Sequence, residues 1–273
     1  MIDSFKPGEF LKHLDELRRR AIRIITVFLI ASSIFIIFKV EFYTYNHFTF
    51  PILYPDPYHN VGSQFLALLE AHILPAGMKT VAIKPTDGMM ADLYSCMFLA
   101  ISVSMPVVVN EIWQFVRPAL TSKEIKSMRQ IVLPGTVLFL AGAVFGIWFI
   151  APGLFMIFNN YDIGLSAVPY LSIMNFVSFV VTYVLIFGIS FEIPVFMVAL
   201  TSTGLVPAKY WKDHWRYAVI GAFVFGMIFS PGVTGFTMTV MAVPMIGLYI
   251  GGIYFAQRAE RKSENSSLTT AEA

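Results

Sequence analysis

Glu192 lies inside an apolar run from Phe176 to Thr201 that is long enough to cross a bilayer, and Pro194 follows two residues later. A charge in hydrocarbon is costly, so this carboxylate must face protein, water or a polar partner. A group so placed can hold a proton or receive a donor from a docked helix; a glutamate bonded to a neighbouring helix for structural reasons is the plainer alternative. Pro194 cannot donate to the carbonyl of Ser190, which bends or loosens the helix beside the carboxylate and leaves an acceptor in need of a partner. Two further carboxylates, Glu16 and Glu124, stand in segments that are otherwise basic. Exposed pairing with Arg18 or Lys123 would contribute little. A carboxylate in a basic surround can also capture an arriving guanidinium through two parallel hydrogen bonds, which a lysine cannot imitate. Two such acids could hold two arginines.

Other chemistries have no signature here. There is no phosphate-cradling glycine loop with a lysine, no histidine pair at metal spacing and no serine in a nucleophile elbow. His13, His47, His59, His72 and His214 are scattered, and solvated or interfacial roles suit them. Single Cys96 sits in an apolar stretch and reads as a small buried hydrophobe. No enzyme activity, metal, cofactor or nucleic-acid partner is expected, and energy for any work must come from a gradient or a partner.

The elements that position these residues follow from hydropathy. With 57% hydrophobic and 13% charged residues and a mean hydropathy of +0.70, the chain reads as an all-α polytopic membrane protein. Phe10, Leu14 and Leu17 recur at helical spacing around a charged run, so residues 6–21 form an amphipathic surface helix that leads into a first span, about Ile22 to Phe38. Three arginines ahead of an apolar run also suit a twin-arginine export signal, but no small-residue cleavage site follows and further spans do. The external loop, residues 39–88, is punctuated by Pro51, Pro55, Pro57 and Gly62, which break any regular run, and holds a short apolar helix around Phe65 to Leu74. Later spans are read at Met89 to Ile112, Ile131 to Ile150 and Phe176 to Thr201, with a loop from Ala151 to Tyr170. The last two, Tyr217 to Phe229 and Phe236 to Phe255, are short, and residues 257–273 form a polar, disordered cytoplasmic tail after a single domain over 1–256. Of the 19 Lys and Arg residues all but Lys39, Lys79 and Lys84 fall on the side of the amino terminus, which puts both termini in the cytoplasm.

Several runs carry a family resemblance. His13-Leu14-Asp15-Glu16-Leu17-Arg18-Arg19-Arg20, the segment from Pro106 through Trp113, Phe115, Pro118 and Leu120 to Glu124, Ser190-Phe191-Glu192-Ile193-Pro194-Val195, Gly221-Ala222-Phe223 ahead of Ser230-Pro231, and Ala242-Val243-Pro244-Met245 resemble TatC, the polytopic subunit of the twin-arginine protein translocase. The resemblance covers Glu9 to Phe255. It implies six spans in a glove-shaped bundle in a prokaryotic cytoplasmic membrane, and a receptor rather than an enzyme. It also implies binding of twin-arginine signal peptides of folded precursors, homo- and hetero-oligomers with TatA- and TatB-type single-span partners, contact with membrane lipid, and transport driven by the protonmotive force.

Residue by residue, the resemblance gives Glu16, Leu17, Arg18, Phe115, Pro118 and Glu124 to signal-peptide recognition, with Phe115 as an apolar or cation–π surface. Glu192 and Pro194 fall to docking of a polar residue from a partner helix, and Pro51 to rigidity of the external loop. Bacterial members often carry an aspartate after the proline-containing turn between the fifth and sixth spans; here the turn reads Ser230-Pro231-Gly232-Val233-Thr234-Gly235. Two rivals remain at this level: a proton-coupled transporter with Glu192 as its titrating group, opposed by the lack of an internal repeat and of a second intramembrane acid or base, and a scaffold for a membrane complex.

Overall fold

In lipid a backbone can satisfy its polar groups only within itself, so each long apolar run becomes helix. The computed structural model describes residues 7–45, 48–116, 122–230 and 235–271, with side chains described for 14–43, 49–112, 114, 133–230 and 235–261. The chain falls into two compact units: one takes the chain to Ala71, with Val81–Ala119 and Ser172–Ser178, and the other holds His72–Thr80, Leu120–Leu171 and the residues from Phe179 on.

In the first unit, α1 (Pro7–Ile37) runs unbroken, so the expected surface helix and first span are one element of 31 residues. Ile22, Ile25, Leu29 and Ile30 are each more than half exposed, the apolar surface that a bilayer would cover. Packed along α1 is α3 (Asp87–Val116), which continues through Pro106. Between them α2 (Val61–Ile73) has 13 residues, too few to cross, as expected, and Phe65 stacks on Phe98 of α3 at 5.6 Å. Asn60 caps α2: its Oδ1 accepts the Ser63 amide at 2.9 Å.

The external loop departs from expectation. Instead of irregular chain, β1 (Phe38–Tyr45) and β2 (Phe48–Pro55) form an antiparallel hairpin with Phe42 opposite Pro51. Prolines break the interior of a sheet, but a two-stranded ribbon is all edge, and an N–H that points to the open side is not needed. Pro51 therefore sits in a strand and fixes its φ there.

In the second unit, α4 (Ser122–Phe145) passes through a π turn, Gly146–Ile150, into α5 (Ala151–Gly164). The loop expected from Ala151 to Tyr170 is thus helical over most of its length. Pro152 and Gly153 read as breakers, yet the widened turn just before them accommodates a proline whose ring would clash with the carbonyl four residues back. A second small sheet joins β3 (Lys79–Val81) and β4 (Tyr170–Ser172). The fourth span divides into α6 (Ile173–Ser190) and α7 (Ile193–Ser202), the break that Pro194 predicts.

Short α8 (Ala208–Asp213) precedes α9 (Trp215–Phe229), and α10 (Gly235–Ala271) closes the chain. Among the described residues, five helical stretches are long and apolar enough to cross a membrane, with α9 as a shorter apolar helix of 15 residues. The sixth span was expected to be short as well, but the helix continues past Phe255, giving a stretch of 27 residues from Gly235 to Arg261. Its extension also corrects the disordered tail: Gln257, Arg258, Ala259, Glu260 and Arg261 are strong helix formers, and Glu260 accepts the Ala208 amide at 3.2 Å.

Close helix contact in this unit depends on small residues. A Cβ on Gly142 would lie 2.6 Å from the Phe187 carbonyl oxygen, and one on Gly226 would lie 2.7 Å from that of Met238. Ile150, Leu154, Tyr183, Phe187 and Met241 form one buried cluster, and the Tyr183 hydroxyl donates to the Phe229 carbonyl at the end of α9.

Candidate functional site

The first unit gathers charge where α1 and α3 run side by side. Glu16 and Arg20 are one helical turn apart, and the Arg20 guanidinium donates to Glu16 through Nε, at 3.2 Å, and Nη2. Arg20 also reaches α3, where Nη1 donates to Glu111 Oε2 at 3.0 Å and to Gln114 Oε1 at 3.2 Å. Arg23 donates to the other oxygen, Oε1, of Glu111. Glu111 is only 2% exposed, while the two arginines that neutralise it are 16% and 59% exposed. A buried carboxylate with a cation on each oxygen is the arrangement that makes such burial tolerable.

Glu16 thus pairs with Arg20, where the sequence offered Arg18 as an exposed alternative. Residues two apart on a helix point to different faces, whereas four apart they meet. Leu17 and Arg18 are exposed beside it. Phe115 lies in the last turn of α3 and Glu124 in the first turn of α4, both with side chains outside the described residues; Pro118 is outside them altogether.

Glu111 was missed because it closes an apolar run, where hydropathy averages it away. The same run hides Asp92, whose Oδ2 accepts a hydrogen bond at 2.7 Å from the Nδ2 of fully buried Asn60. Glu192 is therefore not the one acid within the spans, since Asp92 and Glu111 both lie in the stretch Asp87–Ile112. The signal was available: an Asn ahead of an apolar helix is a cap, and a lone acid in a span needs a partner.

In the second unit, Glu192 occupies the break between α6 and α7. Its backbone begins α7, and Phe196 N donates to its carbonyl at 2.9 Å. Ser190 Oγ turns back to the Ile186 carbonyl at 2.6 Å, and Pro194 is buried. Of the carboxylate, Oε1 is buried and accepts no hydrogen bond from any described residue. Around the break, Phe191 packs on Phe145 at 5.6 Å and against Gly142, while Met197 of α7 fits over Gly252 of α10. On the far side of α7, Trp211 Nε1 donates to Thr201 Oγ1 at 3.0 Å and Tyr249 OH donates to the Trp211 carbonyl at 2.9 Å, so α8 is tied to both α7 and α10.

These features can be compared with known proteins. The family model for the Sec-independent protein translocase protein TatC matches residues 12–244. The chain is 38% identical over 260 residues to the Sec-independent protein translocase protein TatC of Cenarchaeum symbiosum, covering 94% of this chain and 98% of that one. It is 29% identical to the TatC of Aquifex aeolicus, over 93% and 96% of the two chains. The crystal structure of the twin-arginine translocase receptor TatC superposes with a TM-score of 0.71 at 28% identity, covering 90% of this chain and 99% of that chain. With a matching family model over most of its length, the chain belongs to the TatC family: it is a multi-pass membrane component of the Sec-independent, twin-arginine protein translocase and not an enzyme.

Proposed function

We propose that the protein binds the arginine pair of precursor signal peptides at the cytoplasmic face of a prokaryotic plasma membrane, with both termini in the cytoplasm. Glu16 and Glu124 are the arginine ligands, Leu17, Arg18 and Pro118 shape the surface, and Phe115 packs on residues that flank the pair. The observation that carries the reading is the 35% exposed Glu16 carboxylate, on a helical turn tied through Arg20 to Glu111 and Gln114, the residues that lead directly into Phe115. A partly exposed acid that already holds the Arg20 fork offers the carboxylate geometry a second guanidinium would need.

TatA- and TatB-type single-span proteins dock at Glu192, where a polar partner residue supplies the donor that buried Oε1 lacks among the described residues. Residues 1–256 act as one domain, homo- and hetero-oligomers form around it, Pro51 stiffens the external hairpin, and the protonmotive force drives transport of the folded precursor.

The test is binding of a twin-arginine signal peptide to the detergent-solubilised protein, against a twin-lysine peptide and in Glu16→Ala and Glu124→Ala variants. The reading expects arginine to be preferred and either substitution to erase the preference. Equal binding of both peptides to every variant overturns it.

A further inference from the structure

We propose that Glu111 is a third guanidinium subsite for the precursor's arginine pair, held at rest by the chain's own Arg23. This inference rests on the receptor reading above and adds a residue and a competitor to it. The two arginines on Glu111 are not equivalent. Arg20 is 16% exposed and is gripped by Glu16, Glu111 and Gln114 together, so it cannot leave without breaking three sets of hydrogen bonds. Arg23 is 59% exposed and, among the described residues, makes one ion pair, to Glu111 Oε1. It can swing into water, but its departure bares a carboxylate that is otherwise 2% exposed, and a buried acid stripped of its cation is strongly disfavoured.

Arg23 therefore leaves when another guanidinium takes its place. That exchange is nearly balanced, because the incoming group has the same charge and the same planar fork. A lysine ammonium offers a point charge in place of the fork and is a poorer replacement. The resting pair acts as a selectivity filter: a ligand must outcompete a tethered arginine. If Arg23 covers the site nine-tenths of the time, apparent affinity falls about tenfold relative to an open site.

The experiment measures binding of twin-arginine and twin-lysine signal peptides to the full chain in detergent. Arg23→Gln removes the competitor while leaving the Arg20–Glu111 pair to hold the fold, and it is expected to tighten twin-arginine binding by up to about tenfold, with a smaller gain for twin-lysine. Glu111→Gln is expected to weaken twin-arginine binding, and adding Arg23→Gln to it brings no gain, since the contested site is gone. A purely structural pair predicts a lower melting temperature and unchanged or weaker binding in Arg23→Gln, and that result overturns the proposal even if Glu111→Gln fails to fold. Loss of arginine preference in Glu16→Ala without any response to Arg23→Gln overturns this inference alone. Absence of arginine preference in the wild-type protein overturns both readings.

Discussion

Replacing Glu111 with glutamine should destabilise the protein far more than the same change at Glu16. Glutamine keeps the shape and one acceptor but removes the charge that two arginines share. Breaking a buried pair by removing one partner costs about 3–5 kcal/mol when the other charge is stranded. Here stranding is partial, because Arg20 keeps Glu16 and Arg23, at 59% exposure, relaxes into solvent. The expected cost is therefore nearer about 2 kcal/mol, below the fully stranded range. Glu16 is 35% exposed and its pair with Arg20 spans one helical turn, an arrangement that contributes about 0.3–0.5 kcal/mol. At roughly 2–4 °C of melting temperature per kcal/mol for a chain of this size, Glu111→Gln should melt about 4–8 °C lower and Glu16→Gln about 1 °C lower. Thermal unfolding in one detergent at fixed salt measures both. Equal shifts for the two variants, or a larger one for Glu16→Gln, would refute the claim that the buried carboxylate anchors α1 to α3.

Three further outcomes are expected. Gly142→Ala forces a Cβ to within 2.6 Å of the Phe187 carbonyl oxygen and should cost about 1–3 kcal/mol, whereas Gly153→Ala, with nothing within 4 Å, should be neutral or stabilising by about 0.5–1 kcal/mol; thermal unfolding compares the two. Asn60→Ala removes both the cap on α2 and the hydrogen bond to Asp92, so a loss of about 1–2 kcal/mol should come with faster proteolysis of the chain between Pro55 and Val61, and unchanged cleavage would count against the cap. At Asp56, partial desolvation raises the carboxyl but the amides of His59 and Tyr58 outweigh it, holding it below the ordinary value. A lowered folded value means the turn is stabilised above the ordinary carboxylate range and loses that stabilisation as pH falls through the lowered one. Amide exchange at Tyr58 and His59, corrected for intrinsic rates, should show protection lost only in that acidic window, and Asp56→Asn should remove the pH dependence.

Most spans were legible because a bilayer forces helix on any long apolar run, and the break at Glu192 followed from Pro194. Where the reading failed, a local breaker signal met a context that neutralised it. Pro51 and Pro55 argue against a sheet interior, but the hairpin Phe38–Pro55 has no interior. Pro152 argues for a loop, but the π turn from Gly146 to Ile150 absorbs it. The proposed receptor surface was half legible: Glu16 stood out among basic neighbours, while Glu111 and Arg23 did not, since their pairing joins residues 88 apart in the chain. A register between two helices is set by packing, and no single-helix pattern reports it. Asp92 and Asn60 were missed for the same reason, their hydrogen bond spanning 32 residues.

Photo-crosslinking in native membranes tests the receptor account most directly, with a twin-arginine precursor that carries a benzophenone side chain beside its arginine pair. The account predicts cross-links to the α1 segment around Glu16 and to the segment from Phe115 to Glu124, lost when the pair is changed to lysines. Cross-links confined to the Phe38–Pro55 hairpin or to the segment around Glu192, or identical patterns with both precursors, would contradict it.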